Sequence, residues 1–166
     1  MPVFGKNGVV MGTGGAVGYP CCCDQPPGCP TNCPTCPGSF TISFGIGDGF
    51  PCNSIDLAKS VVMSQFTDVL GNNCNWNGST YGVPEGDPSA GIVCYDGMWH
   101  VYISVCWFHW QDPATGTWYT FSGGYGGTLG NGPCPDPSKL IETQNDLGWS
   151  NSIDVGDCTF TGVSVA

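Results

Sequence analysis

The run from Met98 to Trp110 constrains the fold of this chain more than any other stretch. It is rich in β-branched and aromatic residues, which fit a pleated strand and fit a helix poorly. Before it, Asp96-Gly97 has the composition of a two-residue type I′ hairpin turn. After it, residues 112–116 combine a proline with a glycine that accepts a left-handed backbone. The pattern predicts a three-stranded meander over residues 91–122.

Strand patterns on both sides of the meander predict an all-β domain. Residues 39–46 alternate, with Phe40, Ile42 and Phe44 on one face, as in a half-buried strand. The 27 glycines and 14 prolines suit short strands joined by tight turns. We therefore predict an antiparallel β-sandwich, jelly-roll-like, of about seven or eight strands, preceded by a Cys/Pro-rich N-terminal arm. The predicted division is an arm and knot over residues 1–37 and a sandwich domain over 38–166.

The remaining segments give weaker signals of secondary structure. Residues 55–70 fit a helix or a strand, and the strand is favoured because its surroundings are β-rich. Asn77-Gly78 is a hairpin signal. A Gly-rich loop is expected to follow Ser122 as far as Pro133. A short strand is expected over residues 140–143, a loop over 145–152 and a last strand over 158–165.

The charge balance excludes some classes of partner. Thirteen acidic residues face three lysines and no arginine, which gives a net charge of −10. A nucleic-acid ligand needs a basic surface, and an anionic membrane favours one, so neither partner is expected. No apolar run approaches the roughly 20 residues that a membrane-spanning helix needs.

Twelve cysteines in a β-rich chain with few charges indicate a disulfide framework formed in an oxidising setting. Residues 1–18 lack a continuous apolar segment and make a poor secretory signal. Four explanations remain open: oxidation after release of a virion, disulfides inside a hyperthermophile, removal of a longer leader, or thiolates that hold a metal. The expected localisation is virion or extracellular.

The segment 21–37 holds six cysteines and five prolines. Adjacent cysteines rarely bridge each other because successive Cα atoms lie about 3.8 Å apart. Intrachain disulfides are favoured over a thiolate metal site or bridges between subunits. Residues 1–20 either pair with a sheet edge of this or another subunit or form a loosely ordered terminus.

The six cysteines of the body do not reveal their pairing. A bridge between Cys134 and Cys158 would clip the last strand, and Cys106 could remain free and buried. At least eight of the twelve cysteines are expected to be bridged. The candidates are Cys21, Cys22, Cys23, Cys29, Cys33, Cys36, Cys52, Cys74, Cys94, Cys106, Cys134 and Cys158.

A set of short motifs suggests a family. Cys-Pro-x-Cys-Pro precedes a Ser/Thr-alternating strand, Cys-x-Trp-x-Gly spans residues 74–78, and Trp-Tyr-x-Phe-x-Gly spans 118–123. Cys134-Pro135 and a terminal Cys-x-Phe strand follow. The chain resembles small Cys-rich β-sandwich proteins of phage and environmental bacterial genomes. The resemblance implies a virion or extracellular structural role and no catalytic residues.

Residues suited to chemistry are few. His100 and His109 are the only histidines, and strict strand alternation places them on opposite faces. No nucleophile elbow, phosphate-binding loop or zinc-protease motif is present. The aspartates stand mainly where turns favour them. We expect no enzyme activity, no cofactor and no metal.

The central strand predicts a contact surface. Alternation places Trp99, Val101, Ile103, Val105 and Trp107 on the core face. The other face ends in aromatic residues, and the predicted turn would bring Phe108 near Tyr119 and Cys106 near Phe121. The predicted subunit contact or ligand platform consists of Tyr102, Phe108, Trp110, Trp118 and Tyr119.

Two functions fit these features. The first is a structural protein of a virion, as a capsid decoration or another surface or tail component, or of an extracellular assembly. Its partners would be other protein subunits, contacted through the arm and the aromatic face. The alternative is a carbohydrate-binding module or adhesin, whose exposed aromatic rings stack on the apolar faces of glycans.

Overall fold

The computed structural model describes residues 28–55, 57, 59–79 and 88–166. Eight β-strands account for most of the described chain, with two short 3₁₀ turns at Cys52–Ser54 and Pro137–Lys139. The strands are β1 (Ser39–Gly47), β2 (Ser60–Phe66), β3 (Asn75–Ser79), β4 (Ser89–Tyr95), β5 (Met98–Gln111), β6 (Trp118–Thr128), β7 (Ile141–Ser150) and β8 (Val155–Val165).

All neighbouring strands are antiparallel, and each pairs with the strands next to it in sequence. β8 also pairs with β1, for example Ile42 with Val165, so the sheet closes into a barrel. The predicted all-β antiparallel class and number of strands are confirmed. The jelly-roll-like order expected of a sandwich is replaced by nearest-neighbour pairing, because no connection between the described strands crosses to a second sheet.

The inward-facing side chains fill the barrel with an apolar core. Phe40, Ile42 and Phe44 of β1 are buried, as their alternation predicts. Trp76 and Trp99 are fully buried and pack edge to face with ring centroids 5.7 Å apart. Each indole N–H donates a hydrogen bond 2.8 Å long to a backbone carbonyl, which removes the cost of burying a polar group.

The segment 60–66 is a strand, as the sequence favoured, with Val61 and Met63 facing the core. The hairpin expected at Asn77-Gly78 is wrong. Gly78 lies inside β3 and pairs with Ala90. A Cβ at this position would meet the carbonyl oxygen of Val62, so the glycine allows close strand approach rather than a turn.

Two predicted loops are also strands. β6 continues through the Gly-rich segment to Thr128, and β7 includes most of the segment expected as a loop after Thr143. A Cβ at Gly124 would press against the carbonyl oxygen of Ile103, and Gly123 has a φ of 142°. The glycines therefore permit close packing of neighbouring backbones and a local irregularity, which composition alone does not distinguish from a loop.

Three disulfides fasten the N-terminal part of the described chain to one end of the barrel. They are Cys29–Cys94, Cys33–Cys74 and Cys36–Cys134. Hydrogen bonds add to them: the Cys33 N–H donates to the Asn73 side chain at 2.6 Å, and the Gln65 amide donates to the Cys33 carbonyl at 3.0 Å. The three bridges join residues 29–36 to the predicted sandwich domain.

A fourth disulfide, Cys52–Cys158, ties the β1–β2 loop to β8 at the opposite end of the barrel. The Cys134–Cys158 bridge, one of the pairings considered, does not form, because the fold places these cysteines at opposite ends and gives each a different partner. Cys106 is free, as one interpretation held, but it is exposed rather than buried. Cys21, Cys22 and Cys23 lie outside the described residues, and eight cysteines of the described chain are bridged.

Candidate binding surface on the β5–β6 hairpin

A β-bulge interrupts β5 and decides which aromatic residues reach the surface. Val105 pairs with Gly123, but the next pair along the strand is Phe108 with Phe121, so β5 carries an extra residue. Trp107 lies in the bulge with a φ of 51°. Beyond it the alternation is reversed, and Phe108 is buried whereas Trp107 is 69% exposed. The expectation that Trp107 faces the core and Phe108 the other side is therefore wrong.

The pairing between β5 and β6 differs from the prediction for the same reason. At the first turn, Asp96 and Gly97 have the positive φ values of the predicted type I′ turn, and Cys94 pairs with Trp99 as a two-residue turn requires. At the second turn, Trp110 rather than Phe108 pairs with Tyr119.

Asp112 organises the loop between β5 and β6. Its carboxylate accepts hydrogen bonds from the Thr115 hydroxyl at 2.6 Å and the Ala114 N–H at 3.0 Å. These two bonds lower the pKa of Asp112, because they favour the charged carboxylate. The loop therefore has an internal hydrogen-bonded structure that holds the ends of β5 and β6 in register.

The five residues of the predicted platform do not share one exposed surface. Phe108 and Tyr119 are buried, and Tyr102 and Trp110 are partly buried. Tyr102 lies over Gly91, where a Cβ would meet its ring. Trp118 alone of the five is largely exposed, at 58%.

Trp110 and Tyr119 do come together, but at the end of the barrel. Their ring centroids lie 5.6 Å apart, and Tyr119 also lies 5.6 Å from Trp149. Phe50 from the β1–β2 loop packs on both, at 6.2 Å from Trp110 and 5.6 Å from Tyr119. The four rings close this end of the core, and the Cys52–Cys158 bridge holds the loop that supplies Phe50.

A different set of side chains faces outward on the same hairpin. We call it the hairpin patch; it consists of Trp107, His109, Gln111, Trp118 and Thr120. His109 lies opposite Thr120, and its Nδ1 is 3.0 Å from the Thr120 Oγ1. Gln111 lies opposite Trp118 and donates its amide to the Gly116 carbonyl at 2.9 Å.

The hairpin patch lies at the end of the β5–β6 hairpin, where β5 extends beyond β4. β4 begins at Ser89, which pairs with Ser104, whereas β5 continues to Gln111. Within the described chain, β5 beyond Ser104 therefore pairs only with β6. None of the five patch side chains carries a carboxylate or an ammonium group, although the whole chain has a net charge of −10.

The bulge also corrects the prediction for the histidines. It shifts the alternation by one residue, so that His100 and His109 both face outward instead of lying on opposite faces. They remain about 30 Å apart along the strand. Burial lowers the pKa of His100, whose ring packs on Tyr95 with centroids 6.2 Å apart. Among the residues that the structure describes, no group of three or more His, Cys, Asp or Glu side chains is placed to hold a metal ion.

Sequence reasoning missed Trp107 and the polar residues of the patch. Near the end of β5, odd-numbered and even-numbered positions both hold aromatic residues. That pattern is the only sign in the sequence that the strand changes face. No family model, curated protein or solved structure matches the chain.

Proposed function

We propose that this protein is a structural component of an extracellular assembly, such as the surface or tail of a virion, and that residues 1–27 contact neighbouring subunits. The observation that carries the proposal is the covalent attachment of residues 29–36 to one end of the barrel. Any contact made by the preceding residues starts from this fixed point.

The disulfides support a location outside the reducing cytoplasm. Four bridges in one chain suggest an oxidising, extracellular-type environment. In the part of the chain that the structure describes, no helix is long and apolar enough to cross a membrane. A virion location is the more specific proposal, and it rests on the resemblance to small Cys-rich phage proteins.

The packing supports the proposal because it makes the barrel a rigid body to which partners can attach. The two ends of the barrel are held by separate bridges, and the interior between them is filled by buried side chains. Subunit contacts from a stiff body lose little conformational entropy on association.

Deletion of residues 1–27 tests the proposal. The deletion keeps all eight cysteines of the four described bridges, so the body is expected to fold and to show four disulfides by intact mass. We expect the full chain to form a regular multimer in negative-stain images and by light scattering, and the deleted chain to be monomeric.

A variant with serine at positions 21, 22 and 23 is the matched control. It keeps the length of the segment and separates non-covalent contacts from bridges between subunits. The proposal is contradicted if the full chain stays monomeric at high concentration, or if the deleted chain assembles as well as the full chain.

A further inference from the structure

Trp107 combines an unfavourable backbone conformation with an exposed aromatic side chain. Its indole is 69% exposed, and its φ of 51° lies in the left-handed region that is unfavourable for a bulky residue. Glycine and asparagine are the residues that adopt this conformation most readily.

The bulge itself has a structural purpose, but that purpose does not require tryptophan. By reversing the alternation, the bulge directs Phe108 into the core, where its ring lies 6.2 Å from Phe121. This accounts for the positive φ at position 107. It does not account for a large apolar side chain at that position, since the side chain faces solvent. Backbone strain combined with an exposed aromatic residue is typical of a binding surface.

A second exposed indole stands farther along the hairpin. Trp118 is 58% exposed and lies opposite Gln111. Residue 111 is about 13 Å from Trp107 along β5, so the two indoles are separated by a similar distance. The pair formed by His109 and Thr120 lies between them. The two indoles, with polar side chains between them, therefore form a row on the outer face of the sheet.

We propose that the hairpin patch binds an extended, neutral polysaccharide. Indole rings stack on the apolar faces of sugar rings, while the imidazole, amide and hydroxyl groups between them exchange hydrogen bonds with sugar hydroxyls. The five patch side chains carry no carboxylate or ammonium group, and the net charge of −10 repels anionic polymers. The separation of the indoles requires a chain of several sugars rather than a single one.

A protein partner fits the patch less well. A standard protein interface involves about 20–30 residues on each side. The patch offers five side chains, and three of them are polar groups of a kind that a sugar satisfies directly. This inference is independent of the proposed assembly role, because one body can carry both an assembling segment and a glycan-binding face.

The test is calorimetric titration of the full-length protein with cellohexaose and chitohexaose, followed in parallel by tryptophan fluorescence. We expect saturable binding of at least one of these neutral hexasaccharides, with little change between low and high salt. Trp107→Asn and Trp118→Ala should each weaken binding about tenfold, because each removes one stacking surface. Asparagine at position 107 suits the backbone, so loss of the fold is not expected.

Tyr95→Ala is the matched control. It removes an exposed aromatic ring, 42% accessible, at the opposite end of the barrel, and it should leave binding unchanged. The proposal is overturned if neither hexasaccharide binds, if the two tryptophan variants bind as well as the wild type, or if only anionic polymers bind. It is also overturned if Trp107→Asn abolishes self-association and no glycan binds, since the patch would then be a protein contact. Binding by a protein that stays monomeric would support this site and contradict only the assembly role.

Discussion

Trp107 has a backbone conformation that is unfavourable for tryptophan. Its φ of 51° belongs to the bulge that keeps Phe108 in the core, but this conformation is unfavourable for a bulky residue, and the bulge does not require tryptophan. We predict that Trp107→Asn raises the free energy of unfolding by about 1 kcal/mol, because asparagine tolerates the left-handed conformation. Urea unfolding of the two proteins under oxidising conditions measures the difference.

Trp118→Asn is the control for this prediction. Trp118 is similarly exposed but stands in an ordinary strand conformation, where asparagine is less favourable than an aromatic residue. The control should be unchanged or less stable. If Trp107→Asn lowers stability as much as Trp118→Asn does, the backbone at position 107 is not strained.

Among the elements, alternation predicted β1 and the first part of β5 because each has one face toward the core and one toward solvent. The prediction was wrong after Val105, where a single extra residue reverses the faces of all later residues. Nothing local to residues 105–108 specifies that extra residue. It follows from the need to bury Phe108 against Phe121 of β6.

The Gly-rich strands show a second limit of sequence reasoning. Glycine is depleted in strands, so segments such as 123–127 were predicted as loops. In the folded protein Gly123 and Gly124 lie where neighbouring backbones leave no room for a Cβ. That requirement depends on tertiary contacts, which composition does not reveal.

Gly78 tests this explanation for β3. We predict that Gly78→Ala destabilises the protein by at least about 2 kcal/mol, because its Cβ would meet the Val62 carbonyl oxygen and force β2 and β3 apart. Gly38→Ala, at an exposed position with no neighbouring atom within 4 Å, is the control and should have little effect. Thermal unfolding of both variants compares them. Equal effects at the two positions would show that strand approach at Gly78 does not depend on glycine.

For the whole molecule, the disulfides determine how the described parts are joined. A bridge typically adds about 2–4 kcal/mol, largely by restricting the unfolded chain. Here the bridges also decide geometry, because three fix residues 29–36 at one end and one holds the β1–β2 loop at the other. The sequence predicted that most cysteines are bridged, but their pairing depends on which strands are neighbours in space.

The same arrangement separates the two proposed activities. Gly28, which follows the segment proposed to contact other subunits, lies at the end with three bridges, and the hairpin patch lies toward the opposite end. This separation allows a subunit to be held by one end and to present glycan-binding side chains at the other. The assembly proposal depends on the N-terminal attachment, whereas the glycan proposal depends on the bulge in β5.

Peptide mapping without reduction tests this account most directly. The chain has three lysines and no arginine, so pepsin at low pH suits the digestion better than trypsin, and acid also prevents disulfide exchange. Mass spectrometry should find the cross-links Cys29–Cys94, Cys33–Cys74, Cys36–Cys134 and Cys52–Cys158, and Cys106 should react with a thiol reagent in the native protein. Cross-links confined to residues 29–36, or a Cys134–Cys158 bridge, would contradict the attachment of the N-terminal segment to the barrel.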